Sequence, residues 1–248
     1  VDRDLRGGII RVLVFQHIAV EHPGVFRDFL AEDGFHMHAV ELDAGEPIPP
    51  MDGYDALWVM GGPMDVWEED RYPWLGPEKA AIREWVAERN RPFLGVCLGH
   101  QFLADALGGR VAPMAAPEVG ILDVELTEAG RRDPLFAGLA PVSACLQWHG
   151  AEVAEPPPGA RVLARSPASA VQALRVGRRA YGLQYHVELT PATVSDWSAV
   201  PVYARSLERT LGPGALGRLE AEAAAHMEGF NRAARRLYDN FKGLVAGA

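Results

Sequence analysis

The first hundred residues alternate short apolar runs with stretches of helical apolar spacing, and this alternation leaves few folds open. The run IIRVLVF fills residues 9–15, a second short strand is expected at 36–41, ALWVM fills 56–60, and a further buried strand is expected at 92–96. Between them, residues 22–33 place Val25, Phe26, Phe29 and Leu30 on one helical face, and residues 74–89 do the same with Leu75, Ala81, Ile82, Trp85 and Val86. A strand that is apolar on both faces must be covered on both faces, and the intervening helices are the available cover. The pattern predicts an α/β fold built on a doubly wound, mostly parallel sheet.

The middle of the chain changes character. Residues 120–126, 144–148, 160–166, 170–176 and 179–185 read as strands separated by Pro/Gly turns, and Pro156-Pro157-Pro158-Gly159 is a rigid loop too short to separate two cores. From residue 191 onward the pattern is helical, with Met227, Phe230, Leu237, Tyr238 and Phe241 spaced three, four or seven apart. The simplest organisation is one α/β unit over residues 1–190 and a helical C-terminal extension of the same domain over 191–248. The apolar stripe of that extension must be buried. It either completes the sheet's outer face, or some of it covers the site or docks a partner, with Trp197, Tyr203 and Gly212-Pro213-Gly214 marking the mobile portion.

Charge and cysteine usage narrow the functions. The 248 residues carry a formal net charge of -9, and the basic stretches at 175–179 and 232–236 read as a hairpin turn and a solvated helix face. Nucleic acid is not an expected partner, because phosphate binding needs a clustered basic surface. The two cysteines, Cys97 and Cys145, have neither zinc-site nor disulfide-framework spacing. No metal or organic cofactor is expected. The N-terminus shows no basic-then-apolar leader and no apolar run reaches a membrane span, so a soluble cytoplasmic protein with no membrane association is expected.

The chemistry is concentrated at Phe93-Leu94-Gly95-Val96-Cys97-Leu98-Gly99-His100-Gln101. A buried strand leads into Cys97, glycines stand two residues to either side, and a helix is expected to run on through 101–107. This is the layout of a nucleophile elbow, in which small residues relieve a crowded turn. A helix beginning just after the cysteine aims its free N–H groups and partial positive charge at the sulfur, where developing negative charge is favoured.

A nucleophilic sulfur needs a base, and the base benefits from an orienting carboxylate. Tyr185-His186-Val187-Glu188 supplies both at the end of an expected strand, with His186 and Glu188 two apart. Seven other histidines are present, and among them only His149, in Gln147-Trp148-His149-Gly150, also closes a strand ahead of a glycine. An oxyanion needs two donors. The Leu98 N–H directly follows the nucleophile, and Gly62, in Gly61-Gly62-Pro63 after a buried strand, can approach a substrate with no side chain in the way.

These segments resemble the class I (triad) glutamine amidotransferase family. Gly-Val-Cys-Leu-Gly-His-Gln at 95–101 is similar to the family's G-x-C-x-G-x-Q signature, Tyr-His-Val-Glu at 185–188 to its H-P-E signature, and Gly61-Gly62-Pro63 to its oxyanion strand. Val187 stands where the family usually has proline. The resemblance covers roughly residues 10–190, is of the stand-alone type similar to the glutaminase domain of GMP synthase, and implies a flavodoxin-like doubly wound sheet with the site at the carboxyl ends of its strands. It further implies a Cys97–His186–Glu188 triad, an oxyanion hole from Gly62 and Leu98, and substrate contacts from Gln101 and the Trp148–His149 segment.

The activity so implied is hydrolysis of the glutamine side-chain amide through a cysteinyl thioester, with ammonia passed to a synthetase partner in trans. The sequence contains no G-x-x-x-x-G-K-[ST] phosphate loop, and it does not reveal the ammonia acceptor. Two other readings remain open: a γ-glutamyl hydrolase or peptidase using the same triad, and a non-catalytic binding or regulatory protein.

Overall fold

The computed structural model describes residues 9–247. The first eight residues, on which the reading of a leaderless N-terminus rests, lie outside the described residues. The strands are β1 (Arg11–Gln16), β2 (His36–Glu41), β3 (Ala56–Val59), β4 (Phe93–Val96), β5 (Arg110–Leu126), β6 (Val142–Glu155), β7 (Arg161–Arg165), β8 (Ala173–Val176) and β9 (Ala180–Leu183). They form one mixed sheet in the order β2-β1-β3-β4-β9-β8-β7-β5-β6. The five strands from β2 to β9 are parallel, and the remaining pairings are antiparallel.

The parallel half follows from the apolar runs. On β1, Val12 and Val14 pack to one side, with Phe26, Phe29 and Leu30 of helix α1 (Phe26–Glu32). Leu13 and Phe15 pack to the other, with Leu75, Ile82 and Trp85 from α2 (Leu75–Arg83) and the π-helical turn Glu84–Glu88, and with Phe102 and Leu103 of α3 (Leu98–Ala106). Period-two alternation on a strand apolar throughout therefore feeds two cores.

Two elements differ from the sequence expectation. Helix α1 begins at Phe26 rather than near His22, because the preceding loop is drawn onto the segment after β9. The Val25 N–H donates to the Glu188 carbonyl at 2.8 Å, and Gly24, at φ +53°, passes so close that a Cβ would stand 1.7 Å from that oxygen. Strands β5 and β6 are also far longer than 120–126 and 144–148. They extend as an antiparallel ribbon whose register shifts between Pro113 and Glu118, a stretch that also holds Pro117. Proline cannot donate to a ladder, so the ribbon tolerates it by bulging.

A four-residue helix, α4 (Glu128–Arg131), follows β5. After β9 come α5 (Thr193–Ser198), α6 (Pro201–Leu211) and the 32-residue α7 (Ala215–Ala246). The last half of α7 buries Ala234, Leu237, Tyr238, Phe241 and Val245 in the core that holds α1 and Trp58. Its first half buries Leu219, Ala223 and Phe230 with Trp148, Trp197 and Tyr203. Among the described residues, no helix is long and apolar enough to cross a membrane.

Candidate active site

Strand β4 ends at Val96 and α3 begins at Leu98, so Cys97 alone makes the turn between them. It does so at φ 53° and ψ -105°; among the described residues only Asn90 is another non-glycine with positive φ. A strained backbone of this kind persists only where its surroundings over-determine it. Here the Cys97 N–H donates to the Leu183 carbonyl of β9 at 2.7 Å. A Cβ on Gly95 would stand 2.3 Å from the Gly99 carbonyl oxygen, and one on Gly99 2.0 Å from that of Val59, so both approaches require glycine. At the start of α3, His100 and Gln101 donate back to the Cys97 carbonyl and Gly99 donates to Met60. The Leu98 N–H has no protein acceptor among the described residues.

Beyond β9 the chain is anchored by a backbone exchange between His186 and Leu146, at 3.1 and 2.9 Å. His186 Nδ1 lies 2.6 Å from Glu188 Oε1, and the second carboxylate oxygen accepts from the Val187 N–H at 3.0 Å. Burial pushes His186 down, but the Glu188 carboxylate and the neighbouring Cys97 sulfur outweigh it and hold the imidazole well above its ordinary value. Burial pushes Glu188 up, and the His186 charge more than reverses this, leaving the carboxyl below its ordinary value. His186 Nε2 makes no hydrogen bond among the described residues and is the nitrogen left for the sulfur. Gln184 Nε2 approaches Cys97 Sγ at 3.7 Å.

The other residues singled out in the sequence fall around this centre. Gly62 stands between His17 and the elbow: a Cβ there would meet His17 Cβ at 2.8 Å and Leu98 Cδ2 at 3.0 Å. Its N–H, like that of Leu98, has no protein acceptor among the described residues. Gln101 is buried, and its Nε2 donates to the Ala151 carbonyl at 3.2 Å and to Gln184 Oε1 at 3.1 Å. The Trp148 side chain packs against Trp197 and Tyr203. His149 faces away, with Nδ1 2.9 Å from the Ala151 carbonyl and Nε2 3.2 Å from Glu118. The backbone of this segment lies near the centre, because Leu146, two residues before Trp148, is bridged to His186.

Further neighbours come from the helices beyond β9. Trp197 of α5 stands edge-on to the His186 ring, with centroids 4.7 Å apart, and its indole donates to the Val20 carbonyl at 3.0 Å. The Tyr203 hydroxyl of α6 donates to the buried Glu21 at 2.5 Å. Burial holds Glu21 above its ordinary value, against the opposing pull of His186. These contacts span 177 and 182 residues of sequence and place α5 and α6 directly over the triad candidates. Cys97, His186 and Glu188 are each no more than 6% exposed.

The family model described as glutamine amidotransferase class-I matches residues 27–196. The chain belongs to the class-I glutamine amidotransferase family. Hydrolysis of the glutamine side-chain amide is the general activity of class-I glutamine amidotransferases, and the match spans Gly62, Cys97, His186 and Glu188 while ending within α5. Among relatives, a GMP synthase [glutamine-hydrolyzing] subunit of Sulfurisphaera tokodaii is 34% identical over 154 residues, which are 62% of this chain and 77% of that protein. A putative glutamine amidotransferase-like protein YfeJ of Salmonella typhimurium is 33% identical over 189 residues, 75% of this chain and 78% of that one. The crystal structure of a glutamine amidotransferase from Thermotoga maritima superposes with a TM-score of 0.84 at 28% identity, covering 94% of this chain and 98% of that chain. Such coverage takes in most of the C-terminal helices of this amidotransferase as well as its sheet.

Proposed function

We propose that this amidotransferase hydrolyses glutamine through a thioester on Cys97. The observation that carries the reading is the Glu188–His186 pair beside a sulfur that sits on a strained turn at the N-terminus of α3. The Cys97 sulfur attacks the side-chain amide carbon, and the carbonyl π electrons move to oxygen. The Gly62 and Leu98 N–H groups, both without protein acceptors among the described residues, hold that oxyanion. His186 receives the thiol proton and returns it to the departing nitrogen as the carbon–nitrogen bond breaks. Glu188 holds the ring orientation and its charge. Water, deprotonated by the same histidine, then attacks the thioester and releases glutamate. The Gln101 side chain and the Trp148–His149 backbone orient the substrate's amino-acid end.

The relatives that are subunits of glutamine-hydrolysing GMP synthases support delivery of the ammonia to a separate synthetase chain. Steady-state assays of the purified protein with glutamine and with γ-glutamyl amides and peptides test the reading. Glutamine turnover that disappears in Cys97→Ala and persists in Cys145→Ala is the expected result, since burial pushes the Cys145 thiol far above its ordinary range. Turnover at the wild-type rate in Cys97→Ala would overturn the nucleophile. Rapid cleavage of γ-glutamyl peptides with glutamine left intact would move the substrate to that class.

A further inference from the structure

Directly behind the Gly61–Gly62 turn lies a buried pair that the triad does not use. His17, in the loop after β1, is fully buried, as is Glu78 of α2. His17 Nδ1 is 2.8 Å from the Gly61 carbonyl oxygen, and His17 Nε2 is 2.8 Å from Glu78 Oε1. A carbonyl can only accept, so Nδ1 carries a proton, and a carboxylate facing Nε2 favours a second. The ring is stacked on Trp74, at 5.6 Å and 11°, and tilted against Phe102, so it has one orientation. Burial pushes His17 down, but Glu78, with smaller help from the Gly61 carbonyl and Glu21, holds it above its ordinary value. Glu41 of β2 is near enough for its carboxyl to feel the His17 charge.

The Gly61 carbonyl and the Gly62 N–H belong to one peptide unit. No peptide bond among the described residues is cis, so the two groups point in opposite directions from a rigid plane. Glycine on both sides of that plane gives it unusual freedom to rotate. A donor that pins the oxygen therefore fixes the direction of the N–H, and a charged donor also polarises the peptide so that its N–H donates more strongly.

We propose that His17, held by Glu78, is a positioning residue for the oxyanion donor: it locks the Gly61–Gly62 peptide so that the Gly62 N–H faces the reacting carbonyl oxygen. The proposal rests on the role given above to Gly62. It also gives a role to a fully buried histidine–glutamate pair, since a buried ionic pair is by itself weak evidence for stability.

The test compares His17→Leu, which removes the donor, with His17→Asn, whose amide can reach the Gly61 oxygen from nearly the Nδ1 position. Glu78→Gln, which keeps the shape and removes the charge, serves if His17→Leu does not fold. Each is measured for glutamine kcat and KM, and for affinity for glutamate γ-semialdehyde. That aldehyde adds the Cys97 sulfur across its carbonyl and places a charged oxygen in the oxyanion position. The expected result for His17→Leu is a fall in kcat of roughly 10²-fold with KM little changed, as for loss of an oxyanion donor. Aldehyde affinity should fall in parallel, His17→Asn should restore most of both, and Glu78→Gln should lie between. A crystal structure of His17→Leu or Glu78→Gln should show the 61–62 peptide rotated or in two orientations. Wild-type kcat in folded His17→Leu, an unrotated peptide, or a loss that falls on KM alone would overturn the proposal. Turnover surviving Cys97→Ala would instead sink the thioester reading on which it rests.

Discussion

Gly62 has no room for a methyl group, since a Cβ there would press on both His17 and Leu98. Gly62→Ala should therefore lower kcat by roughly 10²-fold through displacement of one oxyanion donor, with the fold retained by circular dichroism. An unchanged kcat would show that this turn does not face the reacting oxygen. Glu188→Gln keeps the shape beside His186 and removes the charge that holds the ring protonated, so kcat should fall by roughly 10²–10⁴-fold. A fall of less than about threefold would leave the carboxylate without the role given to it. Cys97, His186 and Glu188 are legible in the sequence because each stands in a short local pattern: glycines at fixed offsets, or a carboxylate two residues from a histidine. His17 and Glu21 are not, because their partners lie 44, 61 and 182 residues away and only the folded sheet brings them together.

The same division holds among the elements. Strands β1, β3 and β4 announce themselves as apolar runs because the parallel half of the sheet is covered on both faces. The start of β5 does not, because Pro113 and Pro117 read as breaks and its side chains alternate toward solvent, although a bulged antiparallel ribbon accommodates both. Helix α7 is legible from its apolar stripe, but what it docks on is not. In the structure it is tied to the end of α1 by Asp33, which accepts from the Tyr238 hydroxyl at 2.6 Å and from Lys242 at 3.2 Å. Burial pushes Asp33 up, and the Tyr238 and Lys242 hydrogen bonds outweigh it and hold the carboxyl below its usual value. Its folded value thus lies below its unfolded value of about 3.9. The stabilisation is complete above that pH and is lost as pH falls through the folded value. Asp33→Asn should cost at most about 1 kcal/mol at pH 7, because solvent screens this partly exposed carboxyl, and should lose this share of the acid dependence, measured by urea unfolding from pH 7 to pH 3. Equal stability of the two proteins at pH 7 would show that the anchor contributes nothing.

At the scale of the whole molecule, α7 joins the two functions of the C-terminal segment. One half fills the core beneath the parallel strands, and the other supports the helices that lie over Cys97, His186 and Glu188. It buries Leu219, Phe230, Leu237, Tyr238, Phe241 and Val245, each worth about 1.5–3 kcal/mol. Their sum is comparable to the whole stability of a domain, about 5–15 kcal/mol. A chain ended before Gly212 should therefore be insoluble or unfolded; a folded product with unchanged glutamine turnover would show that α7 is dispensable to the core. The central claim, a thioester on Cys97, is read most directly from the intact mass of the entire chain quenched in acid during turnover of glutamine. The account predicts a fraction of molecules heavier by one γ-glutamyl acyl group, with the addition mapping to the peptide that carries Cys97 and absent from Cys97→Ala. Steady glutamine turnover without any such adduct in a rapid-quench series, or an adduct on another residue, would contradict it.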